Sequence, residues 1–248
     1  MIRLIASDLD GTLLNSAGEV SARTAAAVQA AEAAGLIVVF VTGRPPRWLG
    51  SVAAATGHTG LAICSNGALV YDLHREEVVE AYAIPVEVAR SAVSAVRSAL
   101  PSVTFGVETA HGHRQEEPGV ELIKEPVAKL LVRSASLDSD ALLAAVRDVL
   151  GDTVEATHSW NGPGGLVEIS AAGVTKATSL ARFCGERGIT ADEVVAIGDM
   201  PNDLPMLAWA GTAYAVANAH PEVLAAVGQS TASNDEDGVA QVLVGVLV

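Results

Sequence analysis

Asp8-Leu9-Asp10-Gly11-Thr12 places two carboxylates two residues apart directly after a short apolar run, Arg3 to Ser7. At the carboxyl end of a parallel strand, acids stand where open α/β sheets place their ligands. The same residue types also make an ordinary solvated turn, so this motif alone leaves both readings open. Three further segments carry groups that phosphate chemistry uses. Thr42-Gly43-Arg44 follows the run Leu36 to Val41 and offers a hydroxyl and the free N–H groups of a glycine turn, which can hold phosphate oxygens. Lys176 opens a helix in Gly173-Val-Thr-Lys-Ala177, where an ammonium and a helix N-terminus together favour an anion. Gly198-Asp199-Met-Pro-Asn202-Asp203 adds carboxylates and an amide, and clustered hard oxygen donors suit Mg²⁺.

The elements that must position these groups alternate in type. Arg3 to Ser7, Leu36 to Val41 and Leu61 to Cys64 are apolar and bounded by turn signals, as strands covered on both faces are. Between them lie a helix from Ser21, its N-cap, to Ala34, stopped by Gly35, and a second near Trp48 to Ala55. Towards the other end, Thr175 to Arg187, Asp203 to Ala210 and Pro221 to Val227 read as helices around strands at Val194 to Ile197 and Thr212 to Val216. Both ends are βαβ in character, which argues a doubly wound parallel α/β sheet assembled from the two termini. The middle differs. A helix opened by Pro85 (Val86 to Leu100), strands at Val103 to Glu108 and Lys129 to Ser134, a helix from Ser139 to Leu150 and a strand at Thr153 to His158 suggest a small inserted α+β domain. The expected division is 1–81 with 167–248 for the main sheet and 82–166 for the insert.

Composition narrows the partners. Half of the 248 residues are apolar, 18% are charged, and the mean hydropathy is +0.37, which excludes intrinsic disorder. Fifteen Lys and Arg against twenty-nine Asp and Glu give a net charge of −14, unfavourable for nucleic acid or an anionic membrane surface. The start lacks the features of a secretory signal, and the run Leu36 to Val41 is too short to cross a bilayer. Cys64 and Cys184 have neither the number nor the spacing of a disulfide framework or a zinc site. The expectation is a soluble cytoplasmic protein, monomeric or weakly dimeric.

The four motifs, Asp8-x-Asp10-Gly-Thr, Thr42-Gly-Arg, Lys176 and Gly-Asp199-x-x-Asn202-Asp203, occur in the order and at the spacing of the haloacid dehalogenase superfamily. The chain resembles its Cof-type (subfamily IIB) phosphatases in particular. Ser65-Asn66-Gly67-Ala68 is similar to an Asn-Gly-Ala turn common in that branch, while Ala177 departs from it, since many relatives carry Gly after the Lys. The resemblance covers the two ends, implying a Rossmann-like core. It reaches the middle by position, because Cof-type members insert an α+β cap between the Thr and Lys motifs. It implies Asp8 as the nucleophile forming an aspartyl-phosphate and Asp10 as the acid and base, with Mg²⁺ held by Asp8, Asp199 and the backbone carbonyl of Asp10. It assigns Thr42, Gly43, Lys176 and Asn202 to phosphate, and gives supporting places to Asp203, as orienter of Lys176 or a metal-bound water, and to Arg44. The implied reaction is Mg²⁺-dependent hydrolysis of a small phosphorylated metabolite such as a sugar phosphate or phosphoglycolate-like ester.

Other readings use the same residues. A phosphomutase or phosphotransferase would use Asp8 identically and deliver the phosphoryl group to a sugar hydroxyl. A receiver-type signalling domain also clusters acids, a Thr and a Lys, but at about half this length and without the insert, and a sugar-binding module would not need the acid set. In the insert, His111, His113 and Arg114 read as a polar loop, and His158, Trp160 and Asn161 as another; with Lys124 they are candidates to line a substrate-facing surface. Trp48 and Trp209 read as core anchors.

Overall fold

A computed structural model describes residues 1–159 and 162–247. The chain runs through β1 (Leu4–Ser7), α1 (Ala22–Ala33), β2 (Ile37–Val41), α2 (Gly50–Thr56), β3 (Leu61–Cys64), β4 (Leu69–Asp72) and β5 (Glu77–Ala81). It continues with α3 (Val86–Ala99), β6 (Thr104–Thr109), β7 (Gly112–Gln115), β8 (Lys129–Ser134), α4 (Ser139–Leu150), β9 (Val154–Thr157) and β10 (Gly165–Ala171). It ends with α5 (Lys176–Glu186), β11 (Val194–Gly198), α6 (Leu204–Trp209), β12 (Thr212–Val216), α7 (Pro221–Ala226), β13 (Ser230–Thr231) and α8 (Gly238–Leu247). The chain divides into two compact units, Met1–Val79 with Lys176–Val248, and Glu80–Thr175.

The first unit carries an eight-stranded sheet in the order β13-β12-β11-β1-β2-β3-β4-β5. From β13 to β3 neighbouring strands are parallel, and β4 turns back antiparallel on β3. The α/β expectation of a doubly wound, Rossmann-like core holds, with an antiparallel extension at one edge. Strand β1 and the β-branched runs of β2 and β11 are buried, as in a parallel sheet with helices on both faces. Register then does the positioning. Ser7 lies opposite Phe40 on one side and Ile197 on the other, so the residues following β1, β2 and β11 all emerge at one sheet edge. Helix α1 starts where Ser21 caps it, its hydroxyl oxygen accepting from the Thr24 amide at 3.0 Å, and ends before Gly35, whose φ is 88°.

The second unit is a five-stranded antiparallel sheet, β7-β6-β8-β10-β9. Phe105, Val107, Leu130, Val132, Val167 and Ile169 on its strands pack with Ala89, Val96, Leu142 and Val146 of α3 and α4 into one apolar core. This is the α+β insert that the sequence suggests, but its boundary differs. The division expected at 166/167 cuts through β10, which pairs with both β8 and β9, so the second unit runs to Thr175. His113 and Arg114 do not lie in a loop. They belong to edge strand β7, where His113 Nδ1 stands 3.2 Å from Glu108 and Arg114 pairs with Glu125 at 2.8 Å. Trp48 is 55% exposed and is not a core anchor. Trp160 and Asn161 lie outside the described residues.

Candidate active site

Each motif sits where a strand of the parallel sheet ends or a helix begins. After β1 the chain makes a wide helical turn, Leu9–Leu13, broken at Asp10 and Gly11. Gly11 has φ 78°, and a Cβ there would stand 2.4 Å from Asp199 Oδ2, so only glycine lets the turn approach that carboxylate. The turn is pinned from outside by Asn218, whose Nδ2 donates to the Gly11 carbonyl at 2.7 Å. Asp199 follows β11 and is held through its carbonyl, which accepts from the His220 amide at 2.8 Å.

The centre is a buried ion cluster. Lys176 Nζ, at the first residue of α5, donates to Asp8 Oδ1 and to Asp203 Oδ1, each at 2.6 Å. Asp203 Oδ2 accepts from the backbone amides of Asp199 and Met200 at 3.1 and 3.0 Å. Both oxygens of Asp203 are thus engaged, with Lys176 and with the turn after β11. Thr12 Oγ1 donates to Asp199 Oδ1 at 2.6 Å. No hydrogen-bond donor reaches Oδ2 of Asp8 or of Asp199 among the described residues.

Asp8, Asp199 and Asp203 bring carboxylate oxygens within 4.8 Å of one another, and all three are buried. One ammonium faces three carboxylates, so with all three ionised two negative charges would stand uncompensated inside the protein. Burial pushes the Asp8 carboxyl well above the usual range; Lys176 draws it back, and Asp203 and Asp199 raise it further. Burial, then the Asp203 charge, pushes Asp199 up to about 7. Burial works against the Lys176 ammonium, yet Asp203 and Asp8 outweigh it and hold its pKa above that of an ordinary lysine. Carboxylates that repel one another when ionised, with bare hard oxygens on two of them, fit a divalent cation such as Mg²⁺. Asp8 and Asp199 are the carboxylates able to hold it; Asp203, although close, has both oxygens committed.

Asp10 lies at the open side of the cluster. Its carboxylate, 59% exposed, forms a two-pronged pair with Arg44, Nε to Oδ2 at 2.8 Å and an Nη to Oδ1 at 2.6 Å. Arg44 therefore touches the Asp10 side chain directly, a pairing that neither motif announces. Thr42 is fully buried, and its Oγ1 accepts from the Arg44 amide at 3.1 Å, shaping the Thr42-Gly43-Arg44 turn. Asn202 Nδ2 donates to Asn66 Oδ1 at 3.2 Å. The sequence reading gave Thr12 and Asn66 no role. Both stand inside motifs it quoted, which was the only available signal.

These features have counterparts in known proteins. The family model for haloacid dehalogenase-like hydrolases matches residues 5–117 and 107–243. The 5-amino-6-(5-phospho-D-ribitylamino)uracil phosphatase YitU of Bacillus subtilis is 28% identical over 262 residues, 97% of this chain and 96% of that protein. A phosphoglycolate phosphatase of Halorubrum lacusprofundi is 31% identical over 245 residues, 98% of this chain and 96% of that protein. Among solved structures, a haloacid dehalogenase-like hydrolase from Bacteroides thetaiotaomicron superposes with a TM-score of 0.81 at 26% identity, covering 99% of this chain and 100% of that one. The chain belongs to the haloacid dehalogenase-like hydrolase family, and both of these curated relatives are named as phosphatases.

Proposed function

We propose that the protein hydrolyses a small phosphomonoester, a sugar phosphate or a phosphoglycolate-like metabolite, through a covalent phosphoryl group on Asp8. The observation that carries this reading is the buried cluster at one sheet edge, where Asp8 shares Lys176 with Asp203 and leaves Oδ2 without a donor. The names of the relatives, phosphatases of a ribitylamino-uracil phosphate and of phosphoglycolate, support the substrate class.

In the first step an Asp8 carboxylate oxygen forms a bond to phosphorus as the bond from phosphorus to the ester oxygen breaks, and Asp10 gives a proton to the departing alcohol. In the second, water bonds to phosphorus with its proton passing to Asp10, the acyl-phosphate bond breaks, and orthophosphate leaves. Such a proton shuttle typically contributes about 10²–10⁴-fold. Lys176 keeps the nucleophile charged and aimed, and Arg44 holds Asp10 in one orientation. Thr42, Gly43 and Asn202 are assigned to the phosphoryl oxygens. Mg²⁺, held by Asp8, Asp199 and the Asp10 carbonyl, would offset the repulsion between an anionic nucleophile and an anionic substrate. The Glu80–Thr175 unit is proposed to select the substrate. Cys64 and Cys184 are both buried, and neither is in a disulfide.

The test is phosphate release from para-nitrophenyl phosphate with Mg²⁺ and no acceptor present. Release abolished by EDTA supports the reading. Full activity in chelator would remove the metal from it, and turnover only with an added sugar acceptor would make the enzyme a phosphotransferase.

A further inference from the structure

Beyond the four motifs, one turn touches two of them and the helix that carries a third. Ser65, Asn66 and Gly67 follow β3 with φ values of 51°, 58° and 105°, so two non-glycine residues in succession adopt the left-handed conformation. Asparagine tolerates that region and serine does so poorly, and such geometry persists only where its surroundings impose it. The surroundings are explicit. The Ser65 amide donates to the Arg44 carbonyl and the Asn66 amide to the Thr42 carbonyl, each at 3.0 Å. The Gly67 carbonyl accepts from Ser179 Oγ of α5 at 2.7 Å, on the helix that begins with Lys176. The Asn66 side chain accepts from Asn202 Nδ2 at 3.2 Å. Two polar atoms in this cluster, Asn202 Oδ1 and Ser65 Oγ, are buried and have no partner among the described residues. Buried polar atoms are nearly always satisfied, so an orphaned pair in one place points to a group that arrives from outside.

We propose that Asn66 is a positioning residue for the reaction: by accepting one Asn202 N–H, it fixes the Asn202 carboxamide in the orientation that meets the phosphoryl group. Removing the Asn66 amide frees the Asn202 side chain to rotate, and a misplaced contact costs turnover although no substrate-touching group is lost. The inference rests on the phosphatase reading, in which Asn202 faces the phosphoryl oxygens.

Asn66→Gly is the direct test, because glycine adopts φ 58° without strain and removes only the carboxamide. Steady-state rates with para-nitrophenyl phosphate and inhibition by orthophosphate are measured for Asn66→Gly, Asn202→Ala and the double variant. The expectation is that Asn66→Gly melts within a few degrees of the wild type yet loses about tenfold in kcat/KM and binds orthophosphate more weakly, and that the double variant is no worse than Asn202→Ala. Wild-type kcat/KM in Asn66→Gly, or losses that multiply in the double variant, would overturn the positioning role. Should Asn66→Gly melt far below the wild type, Asn66→Ser decides on the same two readouts, non-additivity with Asn202→Ala and orthophosphate inhibition. Turnover persisting in Asp8→Asn would instead overturn the phosphatase reading beneath it.

Discussion

Asp10 and Arg44 face each other through both prongs of a guanidinium, although the Asp10 side chain is more than half exposed. An exposed ion pair adds little stability, so in the proposed mechanism the value of this one lies in aiming Asp10. Arg44→Ala is expected to leave the melting temperature nearly unchanged and to lower kcat/KM for para-nitrophenyl phosphate about tenfold or more. Arg44→Lys keeps the charge but not the fork and should recover only part of the loss. Asp199 supplies a pH prediction. Its pKa is raised from 3.8 to about 7, so between these values the folded, metal-free protein holds a proton that the unfolded chain has released. Stability of the metal-free protein therefore falls as pH rises through that window. Mg²⁺ must displace the same proton, so its affinity should rise between about pH 6 and pH 8, as thermal shift against Mg²⁺ concentration would show. Affinity that is flat or falls over this range would contradict the charge state assigned to Asp199. At this scale the sequence displayed the acids and the lysine, because their types and order are visible in it. It hid the pairings of Arg44 with Asp10 and Thr12 with Asp199, partners 34 and 187 positions apart that only the parallel register brings together.

The elements follow local rules that are legible without coordinates, and they depart from expectation where the deciding interaction is distant. Helices α1, α3, α4 and α5 begin and end within a residue or so of where their caps and periodicity put them. Strand β7 is short and polar, with no β-branched residue, and exists because it pairs with β6 at the sheet edge. Strand β10 has an apolar pattern, but nothing local says which sheet it joins; β8 and β9 decide that, and with it the extent of the insert. The wide turn after β1 gives a prediction of its own. Gly11→Ala would force a left-handed alanine and drive its Cβ to 2.4 Å from Asp199 Oδ2. The variant should lose about 1–3 kcal/mol in denaturant unfolding and most of its Mg²⁺-dependent turnover. Wild-type behaviour on both measures would mean that the turn has room the geometry denies.

On the scale of the whole molecule, the candidate catalytic cluster is built within the unit made from the two ends of the chain, from strands far apart in sequence and adjacent in the sheet. The Glu80–Thr175 unit has its own apolar core and supplies none of the three clustered carboxylates. Among the described residues no helix is long and apolar enough to cross a membrane. What unites the account is the proposal that one carboxylate, Asp8, becomes covalently phosphorylated during turnover. Rapid acid quenching of the enzyme during turnover of a phosphomonoester with Mg²⁺, followed by peptide mass spectrometry, tests this most directly. The account predicts a hydroxylamine-labile phosphoryl group on the peptide that contains Asp8, absent from Asp8→Asn. A phosphorylated peptide elsewhere, or full turnover by Asp8→Asn with no phosphoenzyme, would contradict it.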